Sequence, residues 1–354
     1  MKRVHGSRTS THPEGVIDFS SNVNCFGPPE AVLAALRGET KEAISSYPDP
    51  GYPALREALA FYTGRRPDEI LPANGSVEVL YWICYVRRPE RVLMVSPGFC
   101  EYALAARAAG ASVDENFLDA DAGFALDIER AKEQASEADI VFISNPNSPT
   151  GRLFTRMEIL ELTGALGPGA LMLVDEAFMD FCSGQDELSC LSDIRENLWV
   201  SRSLTKFFSL AGLRAGSLVA PAADILRMEE RTPPWSLNRF AETAVLAALE
   251  DTEFITRMPG RIAEERERFA ALLEQTGLVR VYPSCANFLL IELARGGPDA
   301  PELASRLLER GFLVRDASSF SGLSERFVRL AVRSGAENEA LVGALVAAWG
   351  SGGA

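Results

Sequence analysis

Short apolar runs alternate with helical patterns along the chain up to about Pro221. An apolar run of four to six residues predicts a strand that is buried on both faces and therefore needs no polar alternation. Five such strands are predicted, at Arg91–Ser96, Ile140–Ser144, Leu171–Val174, Leu198–Ser201 and Ser217–Ala220. Helices are predicted between and before them at Val77–Val86, Glu101–Ala109 and Met157–Leu166. Strands separated by helices predict right-handed crossovers and a mainly parallel sheet.

The pattern changes after Pro221, where longer helices precede a second group of strands. The predicted helices are Asn238–Leu249, Phe254–Gln275, Pro301–Arg310 and Glu337–Trp349. The predicted strands are Val279–Tyr282, Asn287–Glu292, a short one around Leu313, and Val328–Val332. The expected fold class is therefore α/β, with a large, mostly parallel sheet flanked by helices and a smaller α+β domain.

Composition narrows the possible partners of this 354-residue chain. A net charge of −14 without a basic stripe argues against nucleic acid and anionic membrane surfaces. The N-terminus lacks the apolar region of a signal peptide, and no apolar run is long enough to span a membrane, so we expect a cytoplasmic protein. Six scattered cysteines and two histidines predict neither a metal site nor a disulfide framework.

Lysine is rare in this sequence, which draws attention to Lys206. Of the 35 basic residues only four are lysines, and the others lie at positions 2, 41 and 132. Most lysines that follow a strand are solvated surface residues. Lys206, however, has Ser203 three residues before it and Arg214 eight residues after it, among apolar neighbours that would lower the pKa of its amine. This arrangement suits an amine that forms a Schiff base beside a bound anion.

The segment from Ser203 to Gly216 resembles the lysine signature of the fold type I pyridoxal-phosphate enzymes, the class I and II aminotransferase family. The resemblance extends over nearly the whole chain, because other landmarks follow in the family's order. It implies that Lys206 carries pyridoxal 5′-phosphate and that Ser203 and Arg214 hold its phosphate. It also implies that Asp175, at the end of a strand, pairs with the pyridine nitrogen and makes the ring an electron sink.

Further landmarks imply more cofactor contacts. Residues Gly75, Ser76 and Val77 open a helix and would cradle the phosphate, although such a turn is also a simple helix cap. Phe99 would stack on the pyridine ring, or else is an ordinary core residue. The family usually has N-P-T-G where this chain has Asn147-Ser148-Pro-Thr-Gly, so either Asn147 or Ser148 would contact the cofactor O3′.

Two landmarks concern neighbouring molecules. Tyr47 resembles the tyrosine that reaches the cofactor phosphate of a second subunit, which implies a homodimer with a shared active site. An exposed loop tyrosine is the alternative. Arg329 resembles the arginine that holds the substrate carboxylate, although it would also suit a strand surface.

The family architecture further implies a large cofactor domain at 30–235 and a small domain formed by 1–29 and 236–354.

Within this family the chain most resembles the threonine-phosphate decarboxylases, which are close relatives of the histidinol-phosphate aminotransferases. The resemblance lies in His5-Gly6, in the segments 17–24, 175–181 and 283–288, and in the spacing of Arg315 and Arg329. It implies that His5, Asn22 and Arg315 bind a substrate phosphate. There are departures: the family commonly has H-G-G-N at the terminus, and Cys25 replaces a proline.

The resemblance implies a phosphorylated amino acid as substrate and a decarboxylation that converts L-threonine O-3-phosphate to (R)-1-aminopropan-2-ol phosphate. The first alternative is an aminotransferase of the histidinol-phosphate type, or one that acts on another amino acid with the same residues. A regulator that binds the cofactor without catalysis is a third reading. We disfavour it because such regulators carry an added DNA-binding module, for which there is no room before Asp18.

Overall fold

The computed structural model describes residues 6–7, 12, 14–38 and 41–350. Strands are numbered in chain order: β1 Ile17–Asp18, β2 Ile70–Ala73, β3 Arg91–Ser96, β4 Ser112–Phe117, β5 Ile140–Ser144, β6 Leu171–Asp175, β7 Leu198–Ser203, β8 Gly216–Val219, β9 Val279–Val281, β10 Phe288–Leu293, β11 Phe312–Leu313, β12 Arg315–Asp316 and β13 Phe327–Ala331.

The α-helices are likewise numbered along the chain: α1 Glu30–Gly38, α2 Lys41–Ser45, α3 Pro53–Thr63, α4 Ser76–Arg87, α5 Cys100–Ala108, α6 Ile128–Ala135, α7 Arg156–Gly164, α8 Gln185–Leu188, α9 Leu204–Phe207, α10 Ala222–Glu229, α11 Arg239–Glu250, α12 Thr252–Gln275, α13 Ala300–Glu309 and α14 Gly335–Trp349. No helix in these ranges is both long enough and apolar enough to cross a membrane.

A seven-stranded sheet in the order β2-β8-β7-β6-β5-β3-β4 forms the centre of the molecule. The strands from β7 to β4 pair in parallel, whereas β8 runs antiparallel to both of its neighbours. Every residue of β5, β6 and β7 is buried, which explains why their sequences are continuous apolar runs. The predicted mainly parallel sheet flanked by helices is confirmed.

Two strands of this sheet, β2 and β4, have no counterpart among the predicted strands. The β4 sequence, SVDENF, is mostly polar, and its side chains are exposed or half-buried except for one. It lies at the edge of the sheet beside β3, so only a small part of it faces the core. The four-residue β2 lies at the opposite edge and pairs only with β8.

A second, antiparallel sheet in the order β12-β13-β10-β9 packs against the helices α12 and α13. Its strands all follow position 278, and β1 near the N-terminus pairs in parallel with β11 beside this sheet. The predicted smaller α+β unit is thus present. The boundaries at positions 29/30 and 235/236 stay a prediction.

Polar residues lie at or near the carboxyl ends of three neighbouring parallel strands. Ser144 at the end of β5 is the register partner of Asp175 at the end of β6, and Asp175 is the partner of Ser201 in β7. In open α/β sheets the crevice beyond these strand ends is the usual position of a ligand site.

Candidate active site

A cavity of about 570 Å³ opens at these strand ends and is bounded by residues of both sheets and of the N-terminal segment. Its lining includes ten of the residues selected from the sequence: Asn22, Ser76, Val77, Phe99, Ser148, Asp175, Lys206, Arg214, Arg315 and Arg329. Residues that lie as much as 307 positions apart in the chain are therefore brought to one site.

Lys206 lies in the short helix α9, directly after β7, and its amine points into the cavity. Its Nζ donates a hydrogen bond of 3.0 Å to the Ser203 Oγ and lies 5.5 Å from the ring centre of Phe178. Desolvation lowers the pKa of the amine to about 8, with Arg214 and Arg329 acting in the same direction and Asp175 opposing them. About a tenth of the amine is therefore unprotonated and nucleophilic at pH 7, far more than for an ordinary lysine.

Asp175 is buried at the carboxyl end of β6, and hydrogen bonds hold both of its oxygens. The Tyr102 hydroxyl donates to Oδ2 at 2.8 Å, the Ser201 hydroxyl donates to Oδ1 at 3.1 Å, and the Ala177 amide donates to Oδ1 at 3.2 Å. Burial raises the pKa of this carboxyl, while Lys206 and these donors counter the effect by stabilising the charged form. The carboxylate is thus held in one orientation.

Gly75 and Arg214 make a close contact at the start of α4. Gly75 has a φ of 77°, and a Cβ atom there would lie 2.7 Å from the Arg214 Nη2. The backbone also passes close to Gly216, where a Cβ would lie 2.5 Å from the Ser76 amide nitrogen. The N-terminal amides of α4 and the Arg214 guanidinium together suit a phosphate group.

Aromatic rings form one wall of the cavity. Phe99 is half-buried and lies edge-to-face with Tyr102, with ring centres 5.7 Å apart. Tyr102 in turn stacks on Phe142 at 5.3 Å. Phe99 offers an apolar face to the cavity, and the buried Phe142 packs against Tyr102 behind that wall; the stacking of Phe99 on a cofactor ring stays a prediction.

Arg315 and Arg329 lie directly opposite each other on the antiparallel strands β12 and β13. Arg329 is buried, and it donates to the Ser148 Oγ at 3.3 Å and to the Ser20 carbonyl oxygen at 3.0 Å. Arg315 donates to the Ser319 Oγ at 2.6 Å. Desolvation, with the charge of Arg315 adding to it, lowers the pKa of Arg329 to about 9, and Asp18 partly offsets this.

The structure separates the two candidates for the O3′ contact. Ser148 lines the cavity. Asn147 is buried and is not among the residues that line the cavity. Its Oδ1 accepts a hydrogen bond of 2.7 Å from the Thr150 hydroxyl, and its Nδ2 has no hydrogen-bond partner among the described residues. Ser148, and not Asn147, is therefore the residue of this pair that faces the cavity.

Four other candidate residues occupy different places relative to the cavity. Asn22 is buried at the cavity, and both polar atoms of its amide lack a hydrogen-bond partner within the described residues. The Ser203 Oγ accepts the hydrogen bond of 3.0 Å from the Lys206 Nζ. Tyr47 is 81% exposed and packs on Trp235 at 4.9 Å, so it does not contribute to the cavity of its own chain. His5 lies outside the described residues.

Three further residues of the site did not stand out in the sequence: Tyr102, Ser201 and Phe320. Tyr102 lies three residues after Phe99 on one face of α5, and Ser201 lies two residues before Ser203 on one face of β7. These spacings place both residues on the same side of their elements as a predicted site residue, and they are the only sequence signal for Tyr102 and Ser201. Phe320 lies in a loop, with its ring 5.0 Å from the Arg315 guanidinium and 5.8 Å from that of Arg329, and no periodicity indicates it.

The residues at the cavity fit pyridoxal 5′-phosphate. The amine of Lys206 can attach to its aldehyde. The Arg214 guanidinium can lie against the start of α4, where the helix amides suit a phosphate, only because position 75 lacks a side chain. The Asp175 carboxylate provides an acceptor for a protonated ring nitrogen. Three hydrogen bonds fix this carboxylate at the end of β6.

Comparison with known proteins gives the same family. The model of the family described as aminotransferase class I and II matches residues 14–345. A threonine-phosphate decarboxylase from Salmonella typhimurium is 35% identical over 337 residues, which cover 94% of this chain and 91% of the relative. A histidinol-phosphate aminotransferase from Sphingopyxis alaskensis is 33% identical, with coverage of 88% and 85%.

Solved structures show both kinds of relative. The crystal structure of histidinol-phosphate aminotransferase from Clostridium acetobutylicum superposes with a TM-score of 0.85 at 29% identity, covering 92% of this chain and 97% of that one. L-threonine-O-3-phosphate decarboxylase from Porphyromonas gingivalis gives a TM-score of 0.81 at 30% identity, with the same coverage. The chain therefore belongs to the class I and II aminotransferase family, and its cofactor is pyridoxal 5′-phosphate.

Proposed function

We propose that this chain decarboxylates a phosphorylated amino acid, L-threonine O-3-phosphate, to (R)-1-aminopropan-2-ol phosphate. The observation that carries the proposal is the direct pairing of Arg315 with Arg329 at the cavity. Like charges placed directly opposite each other on neighbouring strands destabilise a sheet. An anionic ligand between them offsets that cost.

The spacing of the two arginines suits a small substrate with two anionic groups. Directly opposed residues of an antiparallel pair have Cβ atoms only about 4.5–5.5 Å apart, so two bound anions also lie close together. In threonine phosphate the carboxylate and the phosphate are attached to adjacent carbons. Arg329 would hold the carboxylate and Arg315 the phosphate, each through guanidinium hydrogen bonds. Asn22, whose amide has no hydrogen-bond partner among the described residues, and His5 are proposed to complete the phosphate pocket.

The remaining residues would hold the cofactor and move protons. When bound, pyridoxal 5′-phosphate supplies an electron sink for the electron pair left on Cα. Asp175 would keep the proton on the pyridine nitrogen. Phe99 would pack on the ring, and Gly75, Ser76, Val77, Ser203 and Arg214 would surround the phosphate. With the substrate fixed at both anionic ends, its carboxylate leaves as carbon dioxide, and the Lys206 ammonium returns a proton to Cα.

The relatives support both this proposal and one alternative. Threonine-phosphate decarboxylases are 35% identical in Salmonella typhimurium and, under a putative assignment, 32% identical in Caldanaerobacter subterraneus. Histidinol-phosphate aminotransferases reach 33% identity, and an aminotransferase would use the same residues with Lys206 moving a proton from Cα. We favour decarboxylation because threonine-phosphate decarboxylases match over 94% and 96% of this chain, and because O-phosphothreonine offers a carboxylate and a phosphate to the two arginines in one molecule.

The assembly proposed is a cytoplasmic homodimer with a shared active site. Its support is the aromatic pair of Tyr47 and Trp235, which are 81% and 46% exposed and lie together on the surface. The Trp235 indole also donates to the Pro48 carbonyl oxygen at 3.1 Å, which fixes the loop that carries Tyr47. A second subunit that covers these rings would receive Tyr47 at its own cofactor phosphate.

Product analysis tests the proposed reaction. The holoenzyme is incubated with O-phospho-L-threonine and 2-oxoglutarate, and the phosphorus NMR spectrum and mass of the product are recorded, with Lys206→Ala as the control. The proposal expects aminopropanol phosphate, lighter than the substrate by one carbon dioxide, from wild-type protein only. A phosphorylated keto acid as the product would refute it in favour of the aminotransferase.

A further inference from the structure

Two cysteines from distant parts of the chain meet beside the cavity. Cys182 follows the segment that carries Asp175, and Cys285 lies in the loop between β9 and β10, 103 positions later. The Cys182 Sγ donates to the Cys285 carbonyl oxygen at 3.5 Å, which places the Cys182 sulfur directly beside Cys285. Both are free thiols.

The two thiols have different environments. Cys182 is buried, whereas Cys285 is half-buried and accessible. The hydrogen bond from Cys182 lowers the pKa of Cys285, and the positive charges of Arg266 and Arg152 act in the same direction against burial. Arg266 is held nearby because its guanidinium donates to the Ala286 carbonyl oxygen at 3.2 Å. The hydrogen bond and burial raise the pKa of Cys182.

This asymmetry is the arrangement that favours two-step thiol oxidation. An accessible thiolate reacts first with an oxidant, and a neighbouring thiol then resolves the product. Neither thiol lines the cavity, so cofactor chemistry does not require them. The other four cysteines are at positions 25, 84, 100 and 190. Burial raises the pKa of the half-buried Cys25 to about 11, which makes it a poor nucleophile at neutral pH.

We infer that Cys182 and Cys285 form a redox-active pair that a hydroperoxide converts to a disulfide. In the first step the Cys285 thiolate attacks a peroxide oxygen, the O–O bond breaks, and Cys285 becomes a sulfenic acid while hydrogen peroxide is reduced. In the second step the Cys182 sulfur attacks the Cys285 sulfur while the departing sulfenic oxygen takes the Cys182 proton, so that the S–O bond breaks and the oxygen leaves as water. In sum, two thiols and one hydrogen peroxide give one disulfide and two waters.

A disulfide between Cys182 and Cys285 would connect two segments that adjoin the walls of the active site. The Cys285 amide donates to the Gly151 carbonyl oxygen at 3.0 Å, at the end of the turn that carries Ser148. The Cys285 loop continues into Phe288, whose ring centre lies 5.0 Å from that of Phe178 and 5.5 Å from the Arg329 guanidinium. A crosslink over this long loop also restricts the unfolded chain, so the oxidised protein should melt at a higher temperature.

Thiol counting and peptide mapping test the inference. The holoenzyme is treated with one equivalent of hydrogen peroxide, its free thiols are counted, and its peptides are analysed by mass spectrometry without reduction. The expected result is the loss of two thiols per chain, one peptide pair joined through Cys182 and Cys285, and a rise in melting temperature that dithiothreitol reverses. Unchanged thiol numbers, a different cysteine pair, or an unchanged melting temperature would overturn the inference.

Variants separate the two steps. In Cys182→Ser, peroxide should leave a sulfenic acid at Cys285 that dimedone labels, whereas Cys285→Ser should lose its fast reaction with peroxide. Cys25→Ser is the matched control, because it removes another half-buried cysteine and should still lose two thiols. A Cys285→Ser protein that reacts as fast as wild type would contradict the assignment of Cys285 as the reactive thiol.

Discussion

Arg329 lies directly opposite Arg315 across the β12–β13 ladder, and both guanidinium groups line the cavity. The ring of Phe320 lies within 6 Å of each guanidinium, and Asp18 is the carboxylate that offsets the charge at Arg329. Two partly desolvated cations in one wall are unfavourable in the free protein. The wall is therefore complementary to an anionic substrate, and each arginine should contribute to a different anionic group.

Replacement of Arg315 should weaken recognition of the phosphate selectively. For Arg315→Gln we expect KM for O-phospho-L-threonine to rise roughly 100-fold, because a buried charge-assisted interaction contributes about 3 kcal/mol. KM for an unphosphorylated amino acid should change little. Arg280→Gln, an exposed position in the same sheet, is the control and should match wild type. An equal loss for both substrates would show that Arg315 has no specific role at the phosphate.

The pH dependence of cofactor attachment should report the pKa of Lys206. The folded protein lowers this pKa from 10.5 to about 8, and only the neutral amine attacks an aldehyde. The rate at which the apoprotein binds pyridoxal 5′-phosphate, followed by absorbance, should therefore rise through pH 8 and level off above it. Asp175→Asn should move this midpoint to lower pH, because the Asp175 charge favours the ammonium form. A midpoint near 10.5 would contradict the assignment.

Gly75 should be needed for cofactor binding and not only for backbone conformation. In Gly75→Ala the new methyl group would contact the Arg214 guanidinium, so we expect the Kd for the cofactor to rise roughly tenfold, about 1.4 kcal/mol. Gly110→Ala is the matched control, since Gly110 has a φ of 90° and open space around its Cα. Both variants should lose stability through backbone strain, measured as Tm, but the control should keep its cofactor affinity.

The Tyr102 hydroxyl should stabilise the charged form of Asp175. Tyr102→Phe removes the 2.8 Å hydrogen bond to Oδ2, so the pKa of Asp175 should rise further and cofactor affinity should fall. Carboxyl-carbon NMR of the labelled apoprotein measures the first effect independently of activity. Tyr282→Phe, whose hydroxyl donates to Glu292 in the small sheet, is the control. An Asp175 titration that is unchanged in Tyr102→Phe would refute this role.

The sequence predicted the sheet best where burial is complete. The apolar runs of β3 and β5 coincide with the observed strands residue for residue, because both faces of these central strands are covered. The polar edge strand β4 has no such pattern, because pairing with β3 and not burial of its own side chains defines it. The two-residue β12 is too short for any periodicity to indicate it.

Candidate site residues were found from local motifs, whereas their mutual geometry required the fold. The spacing between positions 315 and 329 does not specify that the two arginines face each other, because that depends on the register of β12 and β13. The choice between Asn147 and Ser148 depends on a turn in which Thr150 occupies the Asn147 oxygen. Tyr102 joins the site through a hydrogen bond to a residue 73 positions away.

The measurement that tests the central claim most directly is the fate of the substrate carboxylate. Carboxyl-labelled O-phospho-L-threonine is supplied to the holoenzyme together with 2-oxoglutarate, and labelled carbon dioxide and glutamate are measured in the same reaction. Decarboxylation predicts one labelled carbon dioxide for each substrate consumed and no glutamate, and it predicts no carbon dioxide release by Lys206→Ala. Glutamate formation without release of labelled carbon dioxide would contradict the account and assign the site to amino-group transfer.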